Sequence, residues 1–470
     1  MSSARLLHPP VATFAVLTLG LGACFHRAEP EAPPNVLLIV IDTLGAKHLE
    51  SNLASVGQGE PSFTPHLDSL AAQGVRFEQA FSTAPWTQPA IASLMTSRFP
   101  AQHGVRNLMD DLPANATTLA ERLSEAGYAT GAVISHFLID EERGFGQGFE
   151  TFDTSAITEA GGLSAKRVTT RAIRFLEQQE GPFFLFLHYF DPHSLYNHHP
   201  EFNVTAGYDG HLRPGMGVWE VRDQRQQLSP SDIDYLVGLY HEEIAYTDHH
   251  IGRLLAKLDE LGHAENTVVT LTADHGEEFM EHGWIGHTRT LYDELLHVPL
   301  LFRWPEGRSA SVAIPVSILD IAPTLLEFAL GGAYDAAAEG CAGRSLAGVL
   351  HGIEEPESRP VFAEVSFDST LGDPARAAQK KATKTAVVHG SWKLVHDLEA
   401  DTWLLFDRDA DPGEHTDLFR THEAVAATLR KLLSGWEHQR SLPSDFPGGE
   451  GDEGLDAQTL RALEQLGYVR

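Results

Sequence analysis

The residues best suited to chemistry in this chain are acids and histidines that directly follow apolar runs. Asn35–Ile41 is followed by Asp42. Phe183–Leu187 is followed by His188 and then Asp191-Pro192-His193, and Thr267–Thr272 leads through Ala273 to Asp274-His275-Gly276. Continuous apolar runs of this length suit strands buried on both faces. In open α/β sheets, ligands bind beyond the carboxyl ends of such strands. Three strands would therefore deliver Asp and His side chains to one sheet edge. An Asp/His donor set suits a borderline divalent ion such as zinc or manganese, so the expected ligands are Asp42, Asp274 and His275.

Each of these residues also has a structural alternative. Asp42 could cap a helix, and Asp274-His275 could be turn residues before Gly276. His193 reads as a substrate contact or as a satisfied turn histidine. His282 and His287 lie on a glycine-containing loop, where sites are more common than in cores; His287 is taken as functional and His282 is left unassigned. With 25 histidines in the chain, most must be surface or structural. In Ala84-Pro85-Trp86-Thr87-Gln88-Pro89-Ala90, Thr87 stands at the expected start of a helix. There the dipole and free N–H groups favour an alkoxide and the anion it attacks. Locally, an ordinary cap threonine is the simpler reading.

The elements that must position these groups alternate along the chain. Apolar runs also occur at Gly131–Ile134 and Val298–Phe302. Helical patterns lie between the runs. One opens at Thr64-Pro65 and closes at Gly74, one spans Thr117–Ala126, and longer amphipathic stretches cover 164–179 and 231–261. Alternation of this kind predicts a mostly parallel, doubly wound α/β sheet. From about residue 355 short strand-like segments at 361–365, 385–389, 392–396 and 403–407 predict a small antiparallel sheet. A helix at 422–437, a loop at 440–455 and a last helix at 456–466 follow.

The 470 residues are 42% hydrophobic, an ordinary globular profile, and 34 Lys+Arg against 65 Asp+Glu give a formal charge of −31. Such a surface repels nucleic acid, whose phosphates need a basic face. Two cysteines, Cys24 and Cys341, make no disulfide framework. The apolar stretch Val11–Ala23 is too short for a comfortable membrane span and reads as a signal-peptide core. It ends in Leu21-Gly22-Ala23-Cys24, which resembles a bacterial lipobox. The expected organisation is a lipoprotein-type signal at 1–24, a Pro-rich tether at 25–34, a catalytic domain at 35–353 and a C-terminal subdomain at 354–470. The expected location is the cell envelope, with the membrane held through lipidated Cys24.

Taken together, Asn35–Leu44, Thr64–Asp68, Ala84–Thr96, Pro100–Gly104, Phe186–His193, Glu243–Asp248, Thr272–Glu277, Gly286-His287, Leu291–Pro299, Gly390–Leu394 and Asp411–Glu414 resemble the sulfatases of the alkaline phosphatase superfamily. The resemblance covers nearly the whole chain after the tether. It implies an alkaline phosphatase-like large mixed, mostly parallel sheet between helices and a small C-terminal antiparallel sheet. It further implies one divalent ion (calcium, manganese or zinc) and hydrolysis of sulfate or phosphate esters. Two positions depart from the sulfatase pattern. Thr87 stands where sulfatases carry the Cys or Ser that matures to formylglycine, with Ile91 at the following Arg position; Thr43 stands where many carry a second metal-binding Asp. Threonine cannot become formylglycine, so none is expected.

Thr87 is similar instead to the nucleophile of phosphodiesterases and phosphoethanolamine transferases of the same superfamily, which also carry a His twelve residues past the Asp-His pair, as His287 does past His275. That resemblance implies that Thr87 is both nucleophile and metal ligand, with His193 and His287 stabilising charge or protonating the leaving group. The expected substrate is a small-molecule, glycan or lipid ester, phosphoester rather than sulfate. An envelope phosphoryl-group transferase and a non-catalytic sulfatase-like binding protein are the alternatives. The region 194–230 is expected to set specificity.

Overall fold

The computed structural model describes residues 33–49, 62–158, 162–331, 334–367, 382–440, 449–450 and 457–469. The expected signal segment with Cys24, residues 25–32 of the tether and most of the expected 440–455 loop lie outside the described residues.

Eight strands form the main sheet: β1 (Asn35–Ile41), β2 (Val75–Phe81), β3 (Ala129–Val133), β4 (Thr151–Asp153), β5 (Phe183–Tyr189), β6 (Thr267–Ala273), β7 (His297–Arg303) and β8 (Ala310–Ser317). Their order across the sheet is β8-β2-β7-β6-β1-β5-β3-β4. Every residue of β1, β5 and β6 is buried, as expected of apolar runs covered on both faces. β1 is central and pairs parallel with both β5 and β6. β7 runs antiparallel to β6 and β2. It follows β6 without a crossover helix, so the chain returns from the edge it has just reached.

Three strands are not foreshadowed by apolar runs. β2 and β8 mix polar with apolar residues because they are only partly covered, and β8 at the sheet edge tolerates Pro315. β4 is three residues long. The expected helices appear at Pro65–Gln73, Leu119–Glu125, Ala165–Leu176 and Pro230–Glu260. Two start at reciprocal caps, Thr118 with Glu121 and Ser229 with Asp232, which satisfy the first free N–H groups.

A second sheet is an antiparallel meander of β9 (Val361–Phe367), β10 (Ala382–His389), β11 (Trp392–Asp397) and β12 (Thr402–Asp407). The helix Glu423–Arg440 closes an apolar cluster with it through Leu429, Leu433 and Trp436 against Val387, Leu394 and Leu405. On its other side the meander shares a cluster with Phe81, Trp86 and Phe190 of the main unit. That cluster also takes in Leu463, Leu466, Tyr468 and Val469, in and after the helix Ala457–Gln465.

Candidate active site

Strand register places the first group of side chains. Ile41 lies opposite both Tyr189 and Ala273, and Val40 lies opposite His188. Asp42, His188 and Asp274 therefore emerge at neighbouring points of one edge. The turn after β1 is held in a strained form: Thr43 has φ 57°, its N–H donates to Asp274 Oδ1 at 3.3 Å, and its carbonyl accepts from Tyr240 Oη at 2.7 Å. Gly276 is required beside the pair, because a Cβ there would lie 2.0 Å from the Glu294 carbonyl oxygen.

One donor atom each from Asp42, His188 and Asp274 falls within 4.8 Å of the others. His188 Nε2 is 3.7 Å from Asp42 Oδ2 and 4.0 Å from Asp274 Oδ2. His275 Nε2 is 3.6 Å from both Asp42 Oδ1 and Asp274 Oδ2. These gaps are too long for hydrogen bonds. They match donor atoms that would each touch one ion at about 2.0–2.4 Å. Both oxygens of Asp42, Oδ2 of Asp274 and Nε2 of His188 make no hydrogen bond of normal geometry among the described residues, although all are fully buried. Buried charged oxygens without partners are costly unless a cation meets them.

The imidazoles are set for that role. His275 Nδ1 is 2.9 Å from the Gly276 carbonyl oxygen, which can only accept, so Nδ1 carries the proton and Nε2 presents its lone pair. Ser135 donates to the His188 carbonyl, and its oxygen faces His188 Nδ1 at 3.5 Å, which leaves His188 Nε2 free to ligate. Burial, then the charges of Asp274 and Glu277, push the Asp42 carboxyl up. Burial also acts to raise Asp274, but the His275 and His188 rings outweigh it and hold it at about 2. The donor set fits a divalent ion, with His188 joining Asp42, Asp274 and His275 of the ligands expected from the sequence.

Thr87 opens the wholly buried helix Thr87–Thr96, and its Oγ1 lies 3.3 Å from His275 Nε2. His193 and His287 stand beside it, with ring centroids 4.8 Å apart and His287 4.5 Å from His275. The His287 Nδ1–H donates to Glu277 at 2.9 Å, and Glu277 also accepts from Tyr196 Oη at 2.9 Å. Thr288, at φ 90°, donates its N–H to the Pro85 carbonyl at 3.0 Å and so ties this loop to the threonine segment. Burial, then the neighbouring His287, lowers His193 to about 3; burial, then His275, holds His287 well below the usual imidazole range. Each of the six residues expected from the sequence is at most 2% exposed.

The structure thus brings Asp42, Thr87, His193, Asp274, His275 and His287 into one site. His282 falls elsewhere: it stacks on Tyr292 with Nε2 3.4 Å from Glu294. Asp191 serves the local fold by accepting from the Ser164 N–H at 3.0 Å. The expected specificity region supplies Tyr196 to Glu277, while its His199 pairs with Glu243 at 2.8 Å. Three residues at the site carry no sequence assignment. His188 was legible in principle, as a histidine inside an otherwise aromatic and aliphatic strand. His136 and Tyr468 arrive by long-range packing, which no local pattern signals.

Comparison with known proteins agrees with this architecture. The family model described as Sulfatase matches residues 34–332, and the model for the C-terminal part of N-sulphoglucosamine sulphohydrolase matches residues 280–439. Among curated relatives, an N-acetylglucosamine-6-O-sulfatase of Bacteroides thetaiotaomicron is 24% identical, covering 97% of this chain and 95% of its own. The Homo sapiens N-sulphoglucosamine sulphohydrolase is 28% identical, over 85% of this chain and 79% of its own. Among solved structures, the phosphonate monoester hydrolase of Agrobacterium radiobacter superposes with a TM-score of 0.67 at 21% identity, covering 87% of this chain and 96% of that one. A match across well over half of the sequence, on a fold whose strand ends assemble the buried acid and histidine cluster, places this chain in the sulfatase family of ester hydrolases.

Proposed function

We propose that the chain is a metal-assisted hydrolase of oxyanion esters in which Thr87 is the nucleophile, with phosphate or phosphonate esters as the favoured substrates. One observation carries this reading. The Thr87 hydroxyl, at a helix N-terminus, faces an imidazole nitrogen that presents its lone pair, beside buried carboxylate oxygens that lack partners. A divalent ion held by Asp42, Asp274, His188 and His275 would supply charge neutralisation and lower the cost of ionising the threonine.

The chain's own groups then do the following. The Thr87 proton passes to the His193 imidazole, and the Thr87 oxygen attacks phosphorus, forming a Thr87 ester as the bond to the leaving oxygen breaks. Protonated His193, with His287 beside it, meets the developing charge and gives that proton to the leaving oxygen. Water next cleaves the Thr87 ester and returns the hydroxyl. A sulfate carried on threonine is an ordinary alcohol ester and must be cleaved by direct attack. An aldehyde hydrate, in contrast, can expel sulfate by elimination. The alcohol therefore suits phosphoryl or phosphonyl groups better. The names of the curated relatives favour a second reading, in which a sulfate ester of an amino sugar is the substrate.

A panel of aryl phosphate, phosphodiester, phosphonate and sulfate esters, assayed with calcium, manganese or zinc, separates the readings. Thr87→Ala should reduce turnover of the accepted ester by about 10³-fold or more while the ion still binds. Full activity in that variant would remove the assigned nucleophile, and turnover of sulfate alone would overturn the phosphoryl preference.

A further inference from the structure

Tyr468 follows the helix Ala457–Gln465, and its hydroxyl reaches the candidate site. The Tyr468 oxygen is 3.3 Å from Thr87 Oγ1 and 3.5 Å from both His136 Nε2 and His193 Nε2. The proton directions around it can be assigned. His136 Nδ1 accepts from the Leu138 N–H at 3.0 Å, so its Nε2 carries the proton and donates to the tyrosine oxygen. His193 Nδ1 donates to the Ser194 carbonyl at 2.8 Å, so its Nε2 presents a lone pair. The tyrosine proton therefore points away from His136, into the space between Thr87 and His193.

The segment that carries Tyr468 is built in rather than laid on. Arg222 donates to the Gly467 carbonyl from Nη1 and to the Ile285 carbonyl from Nε, each at 2.7 Å, and Trp219 Nε1 donates to the Val469 carbonyl at 2.7 Å. Gly467 has φ 82°, and a Cβ there would lie 2.4 Å from Arg222 Nη1, so both the turn and the close approach require glycine. Leu463, Leu466 and Val469 are buried around it. Core-like anchoring argues for a fixed wall of the site and against a plug that leaves at each turnover.

We infer that Tyr468 is a further catalytic residue: a hydrogen-bond donor, oriented from behind by His136, that meets a non-bridging oxygen of the group being transferred to Thr87. This inference rests on the Thr87 reading. No proton leaves Tyr468; its O–H bond persists while the transferred group gains negative charge on its outer oxygens. A donor aimed at that charge lowers the barrier, and loss of one such donor costs about 10²–10³-fold in kcat.

The test uses Tyr468→Phe in the full chain, which keeps the ring in its apolar setting and deletes only the hydroxyl. The expected result is a fall in kcat of about 10²-fold with little change in KM, and vanadate binding weakened about tenfold or more by calorimetry with the divalent ion supplied. Vanadate affinity is read without turnover, so the inference is tested even if no ester in the panel reacts. Unchanged kcat and unchanged vanadate affinity would overturn it. So would a faster variant with tighter vanadate binding, which would make the segment a plug. If Tyr468→Phe reduces folded yield, His136→Leu leaves the tyrosine in place and removes the donor behind it. A smaller but clear loss of vanadate affinity is then expected, and none would count against the inference. An inactive Thr87→Ala beside a normal Tyr468→Phe sinks only this inference, whereas an active Thr87→Ala sinks the nucleophile itself.

Discussion

Two buried clusters of charged side chains in this molecule meet the same physical problem in opposite ways. In the candidate site, Asp42 and Asp274 lie fully buried, and among the described residues no Lys or Arg pairs with them and three of their oxygens lack hydrogen-bond partners. Where the small sheet joins the main unit, Glu414 is buried too and Asp293 is largely covered, but Lys393 Nζ lies 2.8 Å from Asp293 and 2.9 Å from Glu414, and Arg408 Nε donates to Asp293 at 2.6 Å. The second cluster neutralises itself with cations from the chain. The first leaves the neutralising charge to something that arrives from outside. Buried charge of one sign marks a site only when its own fold supplies no answer.

The comparison can be broken most forcefully at Asp42. Asp42→Asn should reduce turnover by about 10³-fold or more. It should also abolish the rise in melting temperature that the divalent ion gives the wild type, about 2.7 kcal/mol at a hundred times the dissociation constant. Without the ion the variant should be at least as stable as the wild type, because it removes a buried carboxyl that no Lys or Arg among the described residues meets. A loss of stability in the ion-free variant would show that the chain does neutralise Asp42. Lys393→Met is the counterpart in the cluster that carries its own cations. It should lower stability by about 3–5 kcal/mol, because two buried carboxylates lose their shared partner. The ion-induced stabilisation should persist there, and denaturant unfolding with and without the ion reads both quantities.

A finer test lies at Glu414. Burial, then the Asp293 charge, push its carboxyl up to about 7 against the opposing pull of Lys393. Asp293 is held well below the usual carboxylate range, because Lys393 and Arg408 outweigh its burial. Between pH 4.5 and 7 the folded protein keeps a proton on Glu414 that the unfolded chain has released, so this group makes stability fall as pH rises through that window. Glu414→Gln should remove that part of the fall, about 1–3 kcal/mol. Parallel pH–stability curves for the two proteins would refute the assignment.

How far the sequence discloses this site depends on how each residue reaches it. Asp42, Asp274 and His275 follow buried strands, and a parallel sheet aligns the ends of its strands, so local pattern and topology together place them. Thr87 is different: its position at a helix start is legible, but a cap and a nucleophile look alike until His275 is seen 3.3 Å away. His188 sits inside its strand, where only the register opposite Val40 shows which edge it serves. The partners of Lys393 lie 100 and 21 residues away, and Tyr468 meets Thr87 across 381 residues. Such contacts follow from how whole layers pack, and no window of sequence contains them. The antiparallel course of β7 was hidden for a related reason, since an apolar run reads the same in either direction.

The guanidinium of Arg222 bridges the backbone at Ile285 and at Gly467, across 63 and 245 residues respectively. Ile285 lies in the second strand of a short hairpin, Glu278–Phe279 against Ile285–Gly286, two residues before His287, and Gly467 precedes Tyr468. If both residues act on the ester, one planar cation holds their two segments to each other. A chain whose residues 463–469 had not docked would lack the Tyr468 hydroxyl and leave the Arg222 guanidinium without its Gly467 partner.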